Sequence, residues 1–236
     1  MWVQEAYDKM HLLAFFPHCL RIICIGTKFL FVEVEYMDII PIISSLRVKR
    51  PIFHSEEDFQ FALAWEIKQA IPDSQVRLEV PFEIDGERKS VDVVVINNGY
   101  YYPIELKYKQ DELKDVIYNN EQFNLIEQKR TTDSCPEFIK DIERVEKLSF
   151  RLNGGNRLGF AIWLTNEDYY WDTRQLNNTH APFFVNEGAE LKGRLQNAVD
   201  RHKAVELSGA YTVHWNEYSD FDTLNGWFRY ALIEIK

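Results

Sequence analysis

Apolar and polar residues alternate strictly over one stretch, with Val76, Leu78, Val80 and Phe82 set against Gln75, Arg77 and Glu79, which predicts a half-buried strand over residues 76–83. Just upstream the period changes. Phe59, Leu63, Glu66, Ile67 and Ala70 share one face at 100° per residue, with Ala62 alongside, so a helix is expected over 56–70. Its start is marked by Ser55 three residues before Asp58 and by acids at 56–58, which suit the positive end of the helix dipole; Pro72-Asp73 ends it. Downstream, the apolar runs 91–96 and 102–108 are joined through Asn97-Asn98-Gly99, residues that tolerate the positive φ of a tight turn, and Asp85-Gly86 forms the turn before them. A helix followed by a three-strand antiparallel meander results.

The same patterning carries the rest of the chain. A helix is expected over 119–130, with Phe123 and Ile126 inward. Pro136 opens another, with Phe138, Ile142 and Val145 at helical spacing and Lys140, Glu143, Arg144 and Lys147 outside. Gly154-Gly155 leads into 158–164, a near-continuous apolar run that reads as a buried strand. Beyond it, 189–203 reads as a helix with Leu191, Leu195 and Ala198 on one face and Lys192, Arg194, Arg201 and Lys203 as a basic flank. Tyr211, Val213 and Trp215 read as a strand, and 231–235 as a further one. Near the start, 29–36 reads as a strand or the edge of one. The apolar segment 12–32 is interrupted by Pro17, His18, Arg21 and Lys28, so neither a membrane span nor a secretory signal is expected. Met37 is a candidate internal start, with residues 1–36 an extension. A native mass beginning at Met1 or Trp2 would sink that hypothesis.

Composition sets the frame. With 236 residues, 46% hydrophobic, the chain can bury a full core, and the expected division is an N-terminal extension over 1–50 and one domain over 51–236. Cys19, Cys24 and Cys135 show no C-x-x-C spacing and are odd in number, which suggests neither a disulfide framework nor a zinc site and fits a reducing cytoplasm. A net charge of −10 argues against a protein that coats nucleic acid, although a local basic surface remains allowed. There is no P-loop, no G-x-G-x-x-G and no G-x-S-x-G, and the histidines lack metal-ligand spacing; His54 reads as structural.

Candidate chemistry lies in the second hairpin. Glu105 and Lys107, two residues apart, point to one face of their strand, while Ile104, Leu106 and Tyr108 point to the other. Cross-strand pairing can bring Asp92 close to Glu105. Glu66 interrupts an apolar stripe, and a buried carboxylate must be paired, hydrogen-bonded or metal-bound.

Asp92 followed by Glu105-Leu106-Lys107 resembles the motif of the PD-(D/E)xK nuclease superfamily, with Val91 where the family name has Pro. The helix sequence around Ser55-Glu56-Glu57-Asp58-Phe59-Gln60 and Ala62-Leu63-Ala64-Trp65 also looks like an uncharacterised bacterial branch of that superfamily. The resemblance spans residues 53–165. It implies an α/β fold with a restriction-endonuclease-like αβββαβ core, a central mixed sheet flanked by helices and N- and C-terminal extensions, the latter being the elaboration 166–236. It further implies metal-dependent phosphodiester hydrolysis of nucleic acid, DNA preferred. Mg²⁺, with Mn²⁺ able to substitute, would be held by Asp92, Glu105 and the Leu106 backbone carbonyl. Lys107 would position or deprotonate the attacking water, and Glu66 would orient a water or a second metal, with Glu57 as its fallback. A homodimer would suit cutting of both strands.

Several alternatives stay open at this level. Arg47, Lys49 and Arg50 are a solvated linker or a phosphate contact; Lys109, Gln110 and Lys114, and then Gln128, Lys129 and Arg130, are polar surface or backbone contacts. Tyr169, Tyr170 and Trp171 stack unpaired bases or fold back on the core. Glu66 could instead snorkel out to solvent or pair with a core Arg. The whole module could be a non-catalytic nucleic-acid-binding or protein-assembly domain on the same fold, or Asp92, Glu105 and Lys107 a structural salt-bridge cluster.

Overall fold

The computed structural model describes residues 19–25, 28–34, 36–128, 134–172, 182–196 and 204–236. It divides into two compact units, 1–38 and 39–236. In the first, β1 (Cys19–Ile25) pairs antiparallel with β2 (Lys28–Val34), so the segment expected over 29–36 is a strand as far as Val34. No described helix is long and apolar enough to cross a membrane.

The second unit begins with α1 (Ile40–Lys49), which buries Ile42, Ile43 and Leu46. Next, α2 (Glu56–Ala70) starts where its sequence signals it: the Ser55 hydroxyl accepts from the Asp58 amide, and Phe59, Leu63 and Ile67 are buried. The meander follows as β3 (Gln75–Ile84), β4 (Glu87–Asn97) and β5 (Tyr100–Lys109). Both of its turns have consecutive positive φ, Asp85 at 54° with Gly86 at 81°, and Asn98 at 51° with Gly99 at 79°, the geometry whose twist matches paired strands.

Then the expected pattern fails. The helix expected over 119–130 is absent as far as residue 128: β6 (Leu113–Tyr118) and β7 (Glu121–Leu125) form a hairpin closed by Asn119 and Asn120 at φ 50° and 64°. Phe123 and Leu125 are buried while Ile126 is 79% exposed, so the operative period was two; the Asn-Asn pair was the turn signal, since Asn tolerates left-handed backbone. The second expected helix does form, α3 (Ser134–Leu152), leading into β8 (Gly159–Thr165), buried throughout. Gly159 is required there: a Cβ would lie 2.8 Å from the Pro103 carbonyl oxygen.

The last third adds β9 (Glu190–Leu195), β10 (Val205–Thr212), β11 (Trp215–Asp220) and β12 (Trp227–Ile235). The helix expected over 189–203 is, as far as Leu195, a strand paired with β10. Leu191 and Leu195 satisfy a period of two as well as of four, and Gly193 at φ 60° between them opposes a helix. Ala198, Arg201 and Lys203 lie outside the described residues, as do Lys129 and Arg130. The strand expected through Tyr211, Val213 and Trp215 breaks in two around Val213.

Six strands form the central mixed sheet in the order β11-β12-β8-β5-β4-β3, with β5 parallel to β8 and the other neighbours antiparallel. The architecture is mixed α/β, helices on both faces. On one face α3 packs Phe138, Ile142 and Val145 against Ala161, Trp163 and Ala231. On the other, Phe53 and Phe59 pack on Tyr108. Tyr170 and Trp171 are 2% and 8% exposed and fold back on the core, leaving Tyr169 at the surface.

Candidate active site

The candidate residues meet where the sheet opens. The β4–β5 ladder runs from Asn97↔Tyr100 to Val93↔Ile104 and stops there, one step short of Asp92 and Glu105, whereas β5 stays paired to β8 as far as Lys109. Parting strands leave backbone donors on β5 without a partner strand, and buried donors must be satisfied. Carboxylates take them: the Leu106 amide donates to Asp92 Oδ2 at 2.6 Å, and the Tyr108 amide, on the same edge, donates to Glu56 Oε2 at 2.6 Å. Within a strand a residue's C=O shares the edge of its N–H, so the Leu106 carbonyl faces the same gap.

Glu105 is 3% exposed, and its Oε1 accepts a 2.6 Å bond from Arg144 Nη1 of α3. Arg144 Nη2 also reaches Asp141 at 3.1 Å. Lys107, on the same face of β5 as Glu105, donates to Glu137 at 3.0 Å and lies 5.8 Å from the Trp163 ring. Glu137, Asp141 and Arg144 thus form an i, i+4, i+7 polar stripe on α3 over the acidic strand.

Burial governs the electrostatics. Desolvation pushes Glu105 well above the usual carboxylate range; Asp141 and Asp92 nearby push it further, and Arg144 opposes them. Asp141 is raised to about 7, again chiefly by burial. Burial also raises Asp92, whose carboxyl lies within hydrogen-bond reach of Glu105. Glu56 is raised for the same first reason, although the residue as a whole is exposed at the start of α2. Cys135 is half-buried, and desolvation pushes its thiol up to about 12 against the opposing charge of Lys107, which leaves it inert as a nucleophile.

Of the sequence candidates, Asp92, Glu105, the Leu106 backbone and Lys107 come together, and Glu66 does not. Glu66 is buried but accepts a 2.6 Å bond from Lys49 of α1. Burial alone would raise it, and the Lys49 and Ser45 hydrogen bonds bring it below the usual range. The reason is helical geometry: ten residues separate Glu66 from Glu56, about 15 Å of rise, and the N-terminal end of α2 is the part that reaches the gap. Glu56 takes the place expected of Glu66. Its neighbour Glu57 is exposed, its carboxyl held low by the Ser55 hydroxyl.

Residues missed from sequence include Glu56, Gln60, Asp141 and Arg144. Glu56 was hidden among first-turn acids, and Arg144 among outer charges of α3; the spacing of Glu137, Asp141 and Arg144 was the available signal. Gln60, 6% exposed, donates through Nε2 to Glu79 Oε1 at 2.7 Å and to the Asp92 carbonyl at 2.8 Å. Glu79 holds φ 49°, and the Glu79–Asp92 step is missing from the β3–β4 ladder. The basic cluster at the end of α1 is engaged internally: Arg47 donates to the Glu217 carbonyl, Lys49 to Glu66, and Arg50 to both oxygens of Asp58 at 2.9 and 2.8 Å. Gln110 donates to the Ile126 carbonyl, and Lys114 pairs with Glu112. His54 stacks on Phe123 and bonds Glu121, a structural role.

Among the described residues no group of three or more His, Cys, Asp or Glu is disposed to hold a metal ion. No protein-family model, curated protein or solved structure matches the chain.

Proposed function

We propose that this chain is a metal-dependent phosphodiesterase of the PD-(D/E)xK type acting on nucleic acid, with DNA preferred. The observation that carries this is the meeting of the Asp92 and Glu105 carboxyls at the parting of β4 and β5, with Lys107 on the same face as Glu105. Further support comes from the element order α2, β3, β4, β5, α3, β8 around a mixed sheet, with the β6–β7 hairpin inserted before α3. That order matches a restriction-endonuclease-like core. Perturbed carboxyls gathered in one place are also a usual sign of a functional site.

The donor set fits a small divalent cation. Mg²⁺ usually takes one or two protein carboxylates plus other oxygens, and Asp92, Glu105 and the Leu106 carbonyl would be the holding residues, Mn²⁺ being able to substitute. When bound, the ion would polarise the phosphate and lower the pKa of a water. Lys107 Nζ, on leaving Glu137, would position the attacking water and stabilise charge on the phosphate. Arg144 would stabilise negative charge on the phosphate, and Gln60 would fix the strand that bears Asp92. A cytoplasmic setting suits the unpaired thiol, and a homodimer would suit double-strand cutting.

A non-catalytic binding or assembly module is the second proposal, favoured by the Arg144–Glu105 bond, which lets the cluster stand as a self-compensating salt-bridge network. The deciding experiment incubates plasmid, single-stranded DNA and RNA with the protein in Mg²⁺, Mn²⁺ or EDTA, beside Lys107→Ala. Metal-dependent cleavage lost in the variant is the expected result. No cleavage by either, with no Asp92-dependent metal binding by calorimetry, leaves the binding module.

A further inference from the structure

Among the described residues the cluster around the buried Glu105 sets four carboxyls, Glu56, Asp92, Glu105 and Asp141, against two cations, Lys107 and Arg144. The cations are not equivalent. Lys107 is drawn outward to Glu137, whose side chain is 57% exposed, whereas Arg144 lies directly on Glu105 and spans to Asp141. Its Nη1 is 2.6 Å from Glu105 Oε1. A guanidinium in so short a charge-assisted bond draws negative charge from the carboxylate and competes for the Oε1 lone pairs that a metal at about 2.1 Å would use. Like charges oppose joint occupancy as well. Arg144 has room to move: its side chain is 25% exposed, against 4% for Glu105, and the Asp141 bond gives it a second anchor.

We propose that Arg144 competes with a divalent cation for the Glu105 carboxylate, and that Asp141 keeps the guanidinium beside the site once the cation takes Glu105. This rests on the metal-dependent reading above and adds regulation to it: metal entry is coupled to release of Arg144, which then faces the position of a bound phosphate as a free donor. The coupling is reciprocal, so whatever weakens the Arg144–Glu105 pair strengthens metal binding. A purely structural arginine predicts the opposite, because its removal loosens Glu105.

Calorimetric titration of the full chain with Mn²⁺ tests this in wild type, Arg144→Lys and Arg144→Met. The expected result is Mn²⁺ affinity higher in Arg144→Met by about tenfold, a typical coupling size, with Arg144→Lys in between. Unchanged or weaker binding in a folded Arg144→Met overturns the proposal while leaving metal dependence intact. If no variant binds Mn²⁺, the metal-dependent reading and this proposal fail together, and binding in Arg144→Met alone would support the competition most directly. Should Arg144→Met not fold, nitrogen NMR of the wild-type guanidinium decides. The Arg144 Nη signals, slowed by the ion pair, are expected to average on adding Mg²⁺; signals unaffected at saturating Mg²⁺ overturn the proposal.

Discussion

Two buried carboxylates, Glu146 on α3 and Glu105 bonded to that helix through Arg144, have opposite environments. Glu146, 2% exposed, accepts from the Ser208 amide and hydroxyl, the Gly209 amide and the Tyr211 hydroxyl at 2.6–2.9 Å. Burial would raise it, but those donors bring it below the usual range. Glu105 is as buried but is crowded by Asp141 and Asp92 and accepts its short bond from Arg144. The first is a staple joining α3 to the β9–β10 hairpin through fixed dipoles. The second is a carboxylate whose ionised form the fold does not fully compensate. Burial is common to both, so donor supply separates architecture from chemistry.

The sharpest break of this contrast is in activity. Glu105→Gln should lower cleavage by at least about a hundredfold, as loss of one electrostatic group at a reacting centre does, while Glu146→Gln leaves it unchanged in a folded protein. Equal losses would erase the distinction. Stability should reverse the ranking. Glu146→Ala strands buried donors and should cost about 3 kcal/mol, whereas Glu105→Gln costs less than about 1 kcal/mol or stabilises, measured by equilibrium denaturation.

A pH series sharpens the comparison next. Asp141 titrates at about 7 in the folded protein against 3.8 ordinarily, so across that window the folded state holds a proton that the unfolded chain has released. Its contribution to stability therefore falls as pH rises through the window. Asp141→Asn should flatten that fall. Glu146 acts with the other sign, its stabilisation present above the unfolded value and lost as pH falls through the folded one. Last and smallest, Glu66→Gln should cost about 1 kcal/mol or less because Lys49 is 55% exposed to screening solvent, with cleavage unchanged; a hundredfold loss would return Glu66 to the site.

Local rules were sufficient wherever one period and one turn residue agreed. Helix α2, the two turns of the β3–β5 meander, α3 and β8 were legible for that reason, as was the shared face of Glu105 and Lys107. Where two periods fitted the same residues, as at Leu191 and Leu195, or a turn pair sat inside an apparent helix, as at Asn119-Asn120, local reading chose wrongly, because neighbouring strands decide such segments.

By itself, then, the sequence determined the alternation that puts Glu105 and Lys107 on one face, the tight turn that returns Asp92 to them, and the amphipathic helices that cover the sheet. These depend on periods and backbone preferences within a few residues. Only the tertiary structure decided that β4 parts from β5 at Asp92, that Glu56 rather than Glu66 reaches the gap, and that Arg144 crosses from α3 to Glu105. Each depends on how distant elements are offset along and across one another, and a side chain's partner over such a gap is set by packing, not by its own neighbours in the chain.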